Sequence, residues 1–256
     1  MQQIPGINAD IVKRFAPNPG RRPLLPPLSE QAQVALMCRM LFREGWNEHI
    51  AGHITYRLEN GNVLTNPWEL AWDEVTASDI LTLDESGAVI AGEWNTTPAL
   101  GLHLHLHRLR PDAHVVIHNH ARWSGIWANA HRIPPVYDQA SAYVDGPLPL
   151  YNEYGGTFED GDQSLAAAKA LGDAKWALLA NHGSLVVGRD LRQAHLRAIT
   201  LEWRSMRAYE VEQVGGGVPL TDAQIADIAR PDAFGFPFLW EAMARRELRE
   251  DPSILE

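Results

Sequence analysis

Residues 115–120 read Val-Val-Ile-His-Asn-His, and this hexad constrains the chain more than any other segment. An unbroken β-branched apolar run leading into polar residues describes a short strand buried in a sheet. Side chains alternate faces along a strand, so residues two apart point the same way. His118 and His120 therefore project together, with Asn119 on the opposite face. Two imidazoles so placed suit one metal ion, and a third from another strand would complete a three-histidine site with room for a substrate. His182, within Leu-Leu-Ala-Asn-His-Gly-Ser-Leu-Val-Val-Gly at 178–188, is the candidate third ligand. The alternative is three unrelated histidines satisfied by hydrogen bonds. His-x-His alone does not decide between them.

The flanking sequence describes what must surround that strand. Residues 1–28 are rich in Pro, Gly and Arg and read as an extended N-terminal arm; residues 29–256 read as one domain. Ser29 is a good N-cap for a helix to about Glu44, stopped by Gly45. Strand-like pieces follow at 53–58, 62–66 and 88–94, separated by the turn signals Asn60-Gly61 and Ser86-Gly87, which predicts antiparallel hairpins. Helices are expected over 98–109, 122–130, 162–171 and 191–213, and two short helical pieces in the tail. Residues 177–187 read as two apolar strands meeting near Asn181. No regular βαβ alternation appears, so a single α/β domain with a mixed or antiparallel sheet is expected.

Composition excludes some functions. Acidic residues outnumber basic ones 32 to 22, and a net charge of −10 argues against nucleic acid or an anionic membrane as a general partner. No apolar run approaches the roughly 20 residues that span a bilayer, and the N-terminus lacks a signal-peptide apolar region. The single cysteine, Cys38, allows no intrachain disulfide and reads as a core thiol in the first helix. A soluble, cytoplasmic protein acting on a small molecule is the expectation.

With these segments in view, the chain resembles the class II aldolase/adducin family from about residue 29 to 249. The resemblance rests on Ala51–Leu58, Leu64–Ile80, Leu102–Ala128 and Leu178–Gly188, above all on Arg-Pro-Asp-Ala-His-Val-Val-Ile-His-Asn-His with the later Asn-His-Gly. It implies an α/β/α fold with a central, mostly antiparallel sheet. It also implies a divalent metal, zinc with iron or manganese as alternatives, held by His118, His120 and His182, and homo-oligomers, commonly tetramers, with sites between subunits.

The chain also departs from that pattern. The sugar-phosphate aldolases of the family carry an acid/base glutamate four residues before the position of His103; here it is Ala99. They carry Gly-Asn where this chain has Gly52-His53, and a serine pair where it has Thr97-Pro98. Both changes weaken a phosphate pocket and point to the adducin-like and decarboxylase-like branch.

Other residues are candidates beside plainer readings. His103 and His107 share a helical face; His103 is a candidate acid/base in place of the glutamate, or a packing histidine. His53 is a candidate for catalysis or for substrate carboxylate, or a turn tie. Tyr154, before Gly155-Gly156, is the candidate phenolic proton donor. Asn66 and Thr65 lie in a segment that the resemblance places near the site, although Asn66 also reads as a turn residue before Pro67. Arg122 is a candidate carboxylate partner or a surface ion-pair residue; for Trp123, Trp68 and Trp72 core packing is the default, and a wall for an aromatic substrate is the alternative.

The function expected is a metal-dependent carbon–carbon lyase, a decarboxylase or aldolase-like enzyme on a hydroxy-carboxylate or ene-diol. Decarboxylation is favoured because bond cleavage then needs no initiating base. The alternatives are a non-haem iron oxygenase on the same scaffold and a non-catalytic interaction module like the adducin head.

Overall fold

A computed structural model describes residues 20–153, 156, 158, 161–230, 232 and 236–256. Helix α1 (Glu30–Arg43) starts where the Ser29 hydroxyl accepts the Ala32 N–H at 3.0 Å, and ends before Gly45, whose φ of +89° suits glycine. Cys38 is buried in this helix, and burial pushes its thiol pKa up, so it is inert core.

Eight strands form one sheet in the order β4-β3-β2-β1-β5-β8-β7-β6. They are β1 (His53–Arg57), β2 (Val63–Thr65), β3 (Leu81–Leu83), β4 (Val89–Ala91), β5 (Val115–Asn119), β6 (Leu150–Tyr151), β7 (Trp176–Leu179) and β8 (Gly183–Gly188). Every neighbouring pair is antiparallel except β6 and β7. The mostly antiparallel sheet is therefore as expected. Strand β5 lies between β1 and β8 with all five residues buried. Strands β3 and β6 were not anticipated, being too short for their alternation to register. The expected strand at 88–94 contracts to an exposed three-residue edge.

Alternation along β5 sorts the core into two layers. Ile117 joins Trp176, Leu178 and Val186 beneath α1, α5 (Leu191–Gln213) and α7 (Pro237–Glu250). Val116 joins Ala177, Leu179 and Leu185 beneath α2 (Leu100–Leu109) and α4 (Gly161–Leu171). The result is α/β/α. Leu102 and Leu106 of α2 are fully buried, each contributing about 1.5–3 kcal/mol over exposure. That anchoring fixes His103 and His107, which lie on the same helix.

Helix α3 (Arg122–Asn129) begins two residues after His120 and has no side-chain cap of its own. The buried Glu202 carboxylate of α5 accepts the Trp123 and Ser124 N–H groups instead. A negative charge at a helix N-terminus is favourable and satisfies donors that the helix leaves open. The chain's exit from β5 is thereby pinned. The tail holds α6 (Asp222–Ile228) besides α7. Among the described residues, no helix is long and apolar enough to cross a membrane.

Candidate metal centre

His118 lies on β5 and His120 just past its end, while His182 occupies the tight turn between β7 and β8. That turn closes through the His182 N–H donating to the Leu179 carbonyl at 3.0 Å. Asn181 takes its left-handed position with φ of 53°, which asparagine tolerates better than most residues. One nitrogen from each of the three rings lies within 4.8 Å of the others. The ring centroids are 4.7–5.2 Å apart.

Hydrogen bonds orient two of these rings. His118 Nδ1–H donates to the Ser184 carbonyl at 3.0 Å, which leaves its Nε2 lone pair free. His120 Nδ1 meets the Glu48 carboxylate, with the same consequence. A carboxylate or carbonyl behind a ligating imidazole is the usual support of a histidine–metal bond. Burial, then neighbouring histidines, holds His118 well below the usual imidazole range; burial and His120 bring His182 down to about 4. Both are neutral at pH 7, the form in which imidazole ligates. The donor set thus fits a divalent cation such as zinc.

The backbone around the cluster leaves no spare room. Asn119, on the opposite face, donates from Nδ2 to the Trp46 carbonyl at 2.9 Å and accepts the His120 N–H at 2.6 Å. A Cβ on Gly52 would lie 2.5 Å from Asn119 Nδ2, and one on Gly183 would lie 2.9 Å from the His120 ring. Both glycines are therefore required by close approach.

Two further histidines adjoin the cluster. The pairing of β1 with β5 sets His53 opposite His118, their rings stacked at 5.5 Å. His103 stands edge-on to His53 at 5.5 Å. The hydrogen bonds assign their protons. His107 Nδ1–H donates to the Ala113 carbonyl at 2.8 Å, so its Nε2 accepts from the Thr55 hydroxyl. The Thr55 oxygen then accepts from His103 Nδ1–H at 2.9 Å, and His103 Nε2 keeps a buried lone pair with no partner among the described residues. The Thr97 hydroxyl accepts the Ala99 N–H and lies 2.6 Å from His53 Nε2, the acceptor for its own proton. His53 Nδ1 is then an N–H, likewise buried and unpartnered. Burial is the main cause that lowers His53 to about 3 and His103 well below its ordinary value. A donor and an acceptor thus stand side by side, both on neutral rings. His107, by contrast, is fully bonded and structural.

Of the remaining candidates, Asn66 and Thr65 adjoin β1, the strand that carries His53. Asn66 is buried, not a surface turn residue: it accepts the Ile54 N–H at 2.8 Å and donates to the Pro67 carbonyl at 3.1 Å, holding the start of β1. Thr65 is buried opposite Thr55, donating weakly to the Asn66 carbonyl. The Arg122 guanidinium lies over the Trp123 ring, which packs against Tyr209. Trp72 is 2% exposed and part of the core, its default reading, while Trp68 is exposed. Ala99 sits at the N-cap of α2 without a capping side chain. Tyr154 lies outside the described residues.

Sequence reasoning missed Glu48, Thr97 as the partner of His53, and Phe158, whose ring stacks on His182 at 4.9 Å. Glu48 precedes His120 by 72 positions in a loop, where no periodicity marks it. Replacing Glu48 with alanine is expected to weaken zinc binding about 10–100-fold while sparing the fold. Chelator competition on the folded variant measures this; unchanged affinity would show that His120 needs no such support.

Residues 32–209 match the class II aldolase and adducin N-terminal domain, and the chain belongs to that family. It is similar to the 3,4-dihydroxyphthalate decarboxylase of Arthrobacter keyseri, 28% identical over 230 residues, 84% of this chain and 91% of the relative. It is also similar to an adducin-related protein of Schizosaccharomyces pombe, 26% identical over 179 residues, 66% of this chain and 54% of the relative. The chain thus spans about half the length of that relative. Among solved structures, L-fuculose 1-phosphate aldolase from Glaciozyma antarctica superposes with a TM-score of 0.76 at 21% identity, covering 91% of this chain and 98% of that one. This last likeness speaks for the fold.

Proposed function

We propose that the chain is a divalent-metal-dependent carbon–carbon lyase that decarboxylates a small hydroxy-carboxylate. The observation that carries this reading is the donor–acceptor pair, His53 Nδ1–H and His103 Nε2, buried beside the three-histidine cluster. His118, His120 and His182 would hold the cation, zinc in our assignment. When bound there, such an ion supplies Lewis acidity towards substrate oxygens and the negative charge that develops on them.

The protein's own groups divide the remaining work. His103 Nε2 accepts the hydrogen bond of a substrate hydroxyl, orienting it. His53 Nδ1–H donates to the substrate carboxylate; the neutral ring orients and does not itself supply the proton, which reaches carbon from solvent water once carbon dioxide has left. Thr55 and Thr97 hold each ring in the tautomer that its role needs. Tyr154 is a second candidate donor. Phe158, stacked on His182, excludes water from that side. With alanine at position 99, no carboxylate at that point can take a proton from carbon. A reaction begun by loss of carbon dioxide does not require one.

The similarity to a decarboxylase over most of both chains supports this branch of the family. The test is carbon dioxide release by zinc-loaded protein from a panel of aromatic and aliphatic hydroxy-carboxylates. Release is expected from at least one, with a lowered kcat in His103→Leu. Release from none, or substrate-dependent oxygen uptake by an iron-loaded form, would overturn the reading.

A further inference from the structure

On the sheet face away from His118, Arg204 of α5 makes no ion pair with any described residue. Its Nε–H donates to the Pro134 carbonyl at 2.8 Å, and its guanidinium lies 5.9 Å over the Trp176 ring. Among the described residues, no carboxylate reaches it within ion-pairing distance, and neither Nη has a hydrogen-bond partner. Burial alone draws its pKa down to about 10. The nearby charges are matched: Arg197 and Lys175 both pair with Asp232, at 2.7 and 2.9 Å, and Lys175 also meets Asp145. A partly desolvated cation with no partner is costly, and chains seldom keep one without use.

Arg204 lines a cavity of about 470 Å³. Val136, Val144, Pro147 and Ile225 make apolar walls. Those walls are tied in place: the Pro147 carbonyl accepts the Trp176 indole N–H at 3.1 Å, and the Val136 carbonyl accepts the Leu220 N–H at 2.7 Å. Two carboxylates also border the space. Asp145 is neutralised by Lys175, and the exposed Asp222 at the start of α6 carries a negative charge at the rim.

We propose that this cavity binds a small monocarboxylate with an apolar body, its carboxylate taken by the two free Nη groups of Arg204. A planar guanidinium matches a carboxylate two-to-two, and the apolar walls accept a ring or short hydrocarbon chain. Asp222 disfavours a ligand carrying a second negative charge. The volume is that of ordinary small-molecule sites, about 300–1,000 Å³. This site stands on the other face of the sheet from the histidine cluster and does not depend on the lyase reading.

Benzoate is the probe. Calorimetric titration should show saturable binding to the metal-free protein and equally to His120→Ala, which separates this site from the metal centre. Arg204→Met should lose about tenfold to a hundredfold in affinity, the loss expected for charge-assisted hydrogen bonds, and Arg204→Lys should lie between. Should Arg204→Met fail to fold, the wild-type protein still answers: benzoate should shield Arg204 from phenylglyoxal, read by mass spectrometry of the peptide. Undiminished binding in folded Arg204→Met, no shielding, no saturable binding, or equal competition by phosphate or chloride would each overturn the proposal.

Discussion

Gly183→Ala will cost the protein its metal affinity while the sheet stays folded. The added Cβ would lie 2.5 Å from the Asn119 carbonyl oxygen and 2.9 Å from His120 Cδ2. Atoms do not approach so closely, so something must move. The Asn119 backbone is bound into the middle of the sheet by its pairing with Ser184. The His120 ring lies beyond the end of β5, partly exposed, and it will give way, while the closer clash with the Asn119 carbonyl must be relieved by a local shift of the β5–β8 pairing between His118 and His182. Overpacking of this kind costs on the order of 1–3 kcal/mol, which a domain of this size survives. Displacement of His120 leaves two ligands, and affinity for zinc should fall further than in Glu48→Ala, which removes only the support behind the ring. Chelator competition and a thermal melt, run side by side, separate the two effects. Metal affinity retained in a folded Gly183→Ala variant would mean that His120 is not a ligand.

Mild acid will unfold the metal-free protein. His53, His103, His107, His118 and His195 are buried and His182 is partly buried, and burial is the first cause that lowers each of them, His53 and His195 to about 3, His107 and His182 to about 4. In the unfolded chain these rings titrate near pH about 6.5. Below that pH the unfolded state takes up protons that the native rings refuse, so stability is complete above about pH 6.5 and is lost as pH falls. Each such ring removes about 1.4 kcal/mol per pH unit. Several acting together consume a total stability of about 5–15 kcal/mol within one or two units. Urea midpoints at about pH 8, 6.5 and 5 will show a plateau and then a steep fall. His195 isolates one contribution: it packs edge-on against Trp240 at 5.6 Å, in the layer on the other face of the sheet from His118, and its Nε2 has no partner among the described residues. His195→Leu should remove that ring's share of the slope. A midpoint that stays level from pH 8 to 5 would contradict the burial of these rings as neutral groups.

The pairing of His118 with His120 was legible because strand alternation alone dictates it, and the capped helices were legible because Ser29 and Gly45 act locally. The turn that presents His182 could be located from Asn181-His182-Gly183, since those residues suit a left-handed corner. What escaped were contacts set by the sheet order. Glu48 reaches His120 because β1 and β5 are neighbours, and Thr97 reaches His53 across 44 positions because the helix it precedes, α2, packs on β1. Asn66 looked like a turn residue because Pro67 follows it; its buried amide instead replaces a missing ladder partner for Ile54. Trp72 lies in the core beneath Gly52, where the default reading of a tryptophan puts it.

The most direct test is elemental analysis of the untagged protein beside His120→Ala, after reconstitution with zinc and removal of excess ion. About one equivalent of zinc in the wild-type protein, lost in the variant, is the expected result. No bound metal in the wild-type protein, or equal metal in both, would leave the three histidines without the role assigned to them and the lyase reading without its centre.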